Sequence, residues 1–150
     1  MRSNLGMGLV LMASTVMVAQ APLIKPGLWE MTTVRNSGDG SPLKGKARIC
    51  VAAADREKIV RPDMPNIPGC TLNVAKGTRG YTFDLTCTGK MQWQGHGSTT
   101  IVDAEHIEQE LGIEMVVNGA THRQVDRISY HFVSAECGAV KPGDRPQIVE

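Results

Sequence analysis

Between Arg79 and Gly89 the sequence reads RGYTFDLTCTG, with Tyr81, Phe83, Leu85 and Cys87 at every second position and Thr82, Asp84 and Thr86 between them. Side chains of an extended chain alternate between two faces, so this pattern fixes a strand with one buried and one wetted face. A strand of that kind demands partners, and the rest of the chain supplies them. Gly27 to Val34 (GLWEMTTV) follows a Pro-Gly turn, and Gly45 to Val51 (GKARICV) follows a loop of turn residues, NSGDGSP. From Lys90 to Asp103 (KMQWQGHGSTTIVD), Met91 and Trp93 share one face while Gln92, Gln94 and His96 share the other; Gly95 and Gly97 are expected to bend this strand or mark a bulge. HIEQELGIEMVV sets His106, Glu108 and Glu110 opposite Ile107 and Leu111. Asn118-Gly119 then signals a type I′ hairpin, and Ile128, Tyr130 and Phe132 share a face of the closing strand.

Only Ala52 to Val60 (AAADREKIV) reads as a helix, a short one. Pro62, Pro65 and Pro68 follow it and leave a loop without regular backbone hydrogen bonding. The expected fold is therefore mainly β: a single antiparallel sheet, strongly curved as a half-barrel or small barrel, with one short helix and two disulfides.

Four cysteines, Cys50, Cys70, Cys87 and Cys137, lie after residue 21, and none lies before it. The segment before them has the order of a secretory signal: Arg2, an apolar run from Leu5 to Ala19, and the small-residue site Ala19-Gln20-Ala21, with cleavage after Ala19 or Ala21. The apolar run is shorter than the about 20 residues of a spanning helix, so no stable membrane span is expected after cleavage. Residues 1–21 are thus assigned to a signal peptide, 22–137 to an exported β domain, periplasmic or secreted, and 138–150 to a flexible C-terminal tail. An even cysteine count in an oxidising compartment reads as two disulfides, and the spacings contain no C-x-x-C or Cys-His pair that would hold zinc. Cys50 with Cys70 would close the proline-rich loop, and Cys87 with Cys137 would tie two strands together; that pairing is the expectation.

Charge narrows the function classes. The 16 Lys plus Arg, less Arg2, balance 15 Asp plus Glu, so the exported part is formally neutral and shows no nucleic-acid footprint. Lys44, Lys46 and Arg48, the densest basic cluster, alternate along one strand face as a solvated edge. His122 and His131 are nine apart and point to opposite faces. His106, Glu108 and Glu110 share a face, where a cation site with a neighbour such as His96 competes with plain solvation; no metal is assigned. No nucleophile elbow, metalloprotease helix or phosphate-binding loop occurs, and no cofactor motif, so the chain reads as a non-catalytic protein. Two functions remain. One is binding of a hydrophobic small molecule or lipid on the concave face of the half-barrel or small barrel, with Trp29, Met31, Phe83, Met91, Trp93, Met115 and Tyr130 as candidate contacts that otherwise simply fill the core. The other is a structural or protein-interaction module of the cell envelope.

PGLWEMT after the signal, a Cys heading the acidic-containing segment CVAAADREK, PGCTLNV, a TCTG strand end, a G-x-G strand and a last Cys near the C-terminus together resemble the DUF3617 family of small exported bacterial proteins. The resemblance covers Lys25 to Cys137. It implies a periplasmic location and a β-rich domain, and brings no catalytic residues.

Overall fold

A computed structural model describes residues 23–149 except 39, 64–66 and 89–91. The expected signal segment and Met91 therefore lie outside the described residues. Among the described residues eight strands form one antiparallel sheet: β1 (Gly27–Asn36), β2 (Leu43–Val51), β3 (Cys70–Gly77), β4 (Gly80–Cys87), β5 (Gln92–Asp103), β6 (His106–Val117), β7 (Ala120–Ser134) and β8 (Gln147–Val149). A 3-10 turn, Ala53–Asp55, runs into the helix α1 (Arg56–Val60) between β2 and β3.

The strand order is β3-β4-β5-β6-β7-β1-β2-β8. β3 to β7 form the meander that the alternation demands, each strand turning back on its predecessor. β1 then adds to β7, pairing Met31 with Tyr130 and Thr33 with Ile128, and β2 adds to β1, pairing Trp29 with Ile49. The sheet is neither closed nor strongly curled: β3 and β8 are its two edges, so the half-barrel or small barrel expected from the sequence does not form. Every pairing in this order is antiparallel, and two connections along the chain do not join neighbours, β2 to β3 and β7 to β8. β2 and β3 stand on opposite sides of the order, so the chain between them must cross the sheet, and α1 with its described flanking residues lies over the apolar face.

That crossing builds the core. Val60 of α1 is buried with Trp29, Val51, Tyr81, Ile101, Ile107 and Tyr130, and Ile59 packs against this cluster. Trp29 and Ile107 have no exposed surface. The Trp29 ring meets Phe132 edge-on with centroids 5.8 Å apart, and its Nε1–H donates to the Lys25 carbonyl at 3.0 Å, so the one polar atom of a buried indole is satisfied. The Pro-Gly turn of KPGLWEMT thus delivers the first strand with its Trp already bonded to the backbone before the turn.

Gly95 and Gly97 carry no bulge. The register of β5 is unbroken there, and its shift falls instead between Ile101 and Asp103. Gly97 is required for space: a Cβ would fall 2.5 Å from the Phe83 ring and against the Glu110 carbonyl. Asn118 and Gly119 both take positive φ, 52° and 79°, the paired left-handed conformation of a type I′ hairpin. Residues 138–149, read from the sequence as a tail, include the strand β8 on β2 and the buried Val140.

The disulfides differ from the expected pairing. Cys50 joins Cys137 and Cys70 joins Cys87. Cys70 and Cys87 are directly opposite in the β3–β4 hairpin, whereas Cys50 and Cys70 belong to strands separated by five others, far beyond the about 7 Å that a disulfide spans between Cα atoms.

Two outcomes follow from this packing. Trp29→Ala costs about 3 to 5 kcal/mol in a denaturation curve, the usual range for deleting a buried aromatic; a loss within about 0.5 kcal/mol, the range of surface sites, would remove Trp29 from the core. Non-reducing peptide mapping recovers Cys50 linked to Cys137 and Cys70 linked to Cys87. Replacing the first pair by Ala costs about 4 to 5 kcal/mol and the second about 3 kcal/mol in the chain-entropy model, because they close loops of 87 and 17 residues.

Candidate functional site

The apolar face of the sheet is only partly filled. Where α1 lies on it, the core is packed. Beyond α1 the same face floors an open cavity of about 680 Å³, within the size range of small-molecule sites. Its floor takes residues from seven strands: Met31 of β1, Ile49 and Val51 of β2, Leu72 of β3, Phe83 and Leu85 of β4, Trp93 of β5, Leu111 and Ile113 of β6, and Tyr130 of β7. Period two explains the set, since each is an inward position of its strand, and the registers align them in rows: Leu72 with Leu85, Leu85 with Gly95, and Gly95 with Ile113.

The facing wall is charged. Asp55, Lys58, Arg61 and Asp63, from α1 and the residues flanking it, line one side with Ile59 and Pro62, while Gly143, Asp144 and Pro146 of the C-terminal segment line another. Lys58 donates to Asp55 at 2.7 Å, and that hydrogen bond holds the lysine above its ordinary pKa.

One polar group interrupts the floor. Gln109 of β6 lies between the packed Ile107 and the cavity residue Leu111. Its amide donates to Thr99 Oγ1 at 3.3 Å, and its carbonyl accepts from the Tyr130 hydroxyl at 3.4 Å. Thr99 is 2% exposed, and burial raises the Tyr130 pKa, so that hydroxyl keeps its proton.

Of the residues expected from the sequence to contact a ligand, Met31, Phe83, Trp93 and Tyr130 line the cavity. Trp29 shares their face but is sealed in the core. Met115 is half-buried opposite Trp93 and lies outside the lining. The sequence reading missed Ile49, Leu72, Leu85, Gln109, Leu111 and Ile113. Their alternation was visible, but which strands lie side by side was not. Gln109 did carry a signal, being a polar residue in the Ile107–Leu111 row.

The opposite face of the sheet is polar. Glu30 pairs with Lys46 and Arg48, Glu110 with Arg127 and Glu114 with Arg123. There His106 stacks on His131 with ring centroids 4.3 Å apart, and Ser129 and Glu108 complete the cluster; His96 instead lies over Gly112. The Ser129 hydroxyl donates to Glu108 at 3.0 Å. Glu108 bonds the same His106 nitrogen, Nε2, that faces Ser129. A catalytic triad instead needs the carboxylate on the far nitrogen of the imidazole. Among the described residues no group of three or more His, Cys, Asp or Glu is arranged to hold a metal, and no helix is long and apolar enough to cross a membrane. At the inner face, Asp126 is buried and held by Arg35 in a two-point pair, Nε to Oδ1 2.9 Å and Nη2 to Oδ2 2.8 Å, with Gln124 donating at 3.1 Å.

The chain has two tyrosines, and both hold their protons more tightly than free phenol: Tyr81 through its hydrogen bond to Glu57, Tyr130 through burial. Unfolded, both ionise near ~10. The stability they confer is therefore complete below that pH and is lost as pH rises through the higher folded values. A tyrosinate absorbance titration has its midpoint above that of free tyrosine, and Tyr130→Phe lessens the alkaline loss of stability; both tyrosines titrating at the free value would contradict this.

A family model described as "Protein of unknown function (DUF3617)" matches residues 24–137. No curated protein and no solved structure matches the chain.

Proposed function

The chain belongs to the DUF3617 family, whose description assigns no activity, and we propose that this member is an exported domain that binds a hydrophobic small molecule or lipid, without catalysis, in the cavity beside α1. The observation that carries the reading is the floor itself. Apolar side chains from seven strands converge on one open volume of about 680 Å³, where a protein that served only as a scaffold would bring those faces into contact. Met31, Phe83, Trp93 and Tyr130 are the contacts common to the sequence pattern and this cavity. The two disulfides and the leader-like first 21 residues support a periplasmic or secreted location.

A second reading, an interaction module of the cell envelope, draws on a different feature. Ile148 of the edge strand β8 is 87% exposed and Leu43 of its neighbour β2 is 65% exposed, and an open sheet edge accepts an added strand.

The two readings separate in one binding experiment. The disulfide-intact protein takes up the neutral fluorophore Nile red, a bacterial envelope lipid extract displaces it, and Trp93→Ala weakens both, with a loss of about tenfold for an aromatic wall residue worth 1 to 2 kcal/mol. Absence of any probe uptake would end the ligand reading and leave the edge to be tested by crosslinking in cells.

A further inference from the structure

The ligand's chemistry is written in the one polar interruption of the cavity floor. Gln109 has two amide N–H donors; one serves Thr99 at 3.3 Å. The Tyr130 oxygen donates to Gln109 at 3.4 Å and keeps lone pairs free. Both bonds lie beyond the ordinary range for such groups, so the pair is weakly engaged by the protein. Among the described residues the second Gln109 N–H and the Tyr130 lone pairs have no protein partner. Both residues line the cavity, at the boundary where the packed core ends. A polar pair left half-satisfied in an apolar wall is costly unless water or a ligand completes it.

Charge limits what can complete it. The apolar floor residues carry no cation, and the inner-face Arg35 is already held by Asp126 opposite Leu111, so an ionised carboxylate or phosphate brought beside Gln109 would find no free counter-charge. The charged wall does not compensate: Lys58 and Arg61 are outnumbered by Asp55, Asp63 and Asp144. Building on the cavity reading above, we propose that the ligand is an uncharged amphiphile, such as a long-chain ester, amide or alcohol, whose oxygen accepts from the Gln109 amide beside the Tyr130 hydroxyl while its chain lies along Leu111, Ile113 and Trp93. The oxygen end goes in first, and the aliphatic end runs toward the open half of the floor.

The test uses the mature, disulfide-intact chain and four competitors of one chain length against Nile red: alkane, alcohol, methyl ester and carboxylic acid. The ester and alcohol displace the probe at about three- to tenfold lower concentration than the alkane, the value of one net hydrogen bond. The acid is the weaker competitor at neutral pH and improves as pH falls through its own pKa. Gln109→Leu keeps the volume and removes the donor; it abolishes the ester's advantage while alkane displacement is kept or improved. Tyr130→Phe reduces the alcohol's advantage by an independent route, should Gln109→Leu fold poorly. Equal displacement by ester and alkane in the wild type, or an ester advantage that survives Gln109→Leu, overturns the assignment of an oxygen-bearing ligand while leaving the cavity reading in place. A wild type that takes up no Nile red overturns both.

Discussion

The crossing from β2 to β3 is the constraint on which the rest of the molecule depends. Strands about 4.8 Å apart make an eight-stranded sheet roughly 30 Å wide, and one face of it is apolar. The segment that must cover this face is residues 52–69, and its α1 has five residues, a cylinder about 7.5 Å long. Pro62 and Pro68 prevent the remainder from continuing as helix. Val60 and Ile59 of α1 pack against the cluster that holds Trp29, Ile107 and Tyr81, while Leu85, Leu111 and Trp93 line the open cavity. The hollow half of the inner face is thus a consequence of chain length and composition. Among the described residues the C-terminal segment, through Gly143, Asp144 and Pro146, also lines it.

The disulfides fasten what this arrangement leaves loose. Cys70–Cys87 fixes the point where the crossing segment re-enters the sheet, at the free end of the edge strand β3. Cys50–Cys137 fixes the end of β2, where the crossing begins, to the start of the C-terminal segment, whose Gly143, Asp144 and Pro146 line the cavity. Both bridges therefore bear on the cavity's borders. Joining Cys50 to Cys70 would have tied the two ends of the crossing together and drawn β2 and β3 side by side, which the strand order forbids.

What could be read from the sequence was whatever depends on near neighbours. Tyr81, Phe83, Leu85 and Cys87 are all buried and Thr82, Asp84 and Thr86 exposed, as their alternation requires; the Asn118-Gly119 hairpin and the helix before Val60 likewise rest on local chemistry. His122 and His131 fall on opposite faces because β7 runs through both without a register break. The strand order, the open edges and the cysteine pairing depend on contacts distant in sequence, and alternation is silent about them. Even so, the Cys70–Cys87 bridge left a trace. The two cysteines are equidistant from Thr78-Arg79, and a two-residue turn there places them opposite one another. The flanking Gly77 and Gly80 give a weaker turn signal than Asn-Gly, so the register was not evident without the fold.

Two inward-facing glycines of β5, next to the strands that floor the cavity, differ in what their missing side chains leave. Gly97 has a packing reason, since the Phe83 ring occupies the space a side chain would need. Gly95, two residues along on the same face, does not. A Cβ there would make ordinary contacts, 3.6 Å to Leu85 and 3.8 Å to Leu111, and glycine in a strand interior costs stability through backbone entropy. A larger residue at Gly95 would lie between Leu85 and Ile113, the residues opposite it on its neighbouring strands, both of which line the cavity. The chain thus leaves unused a position on the inner face where a side chain would find ordinary contacts. It also places a polar residue, Gln109, two rows along, opposite Thr99. Both leave the inner face less fully packed with apolar side chains, which accords with the binding role proposed above.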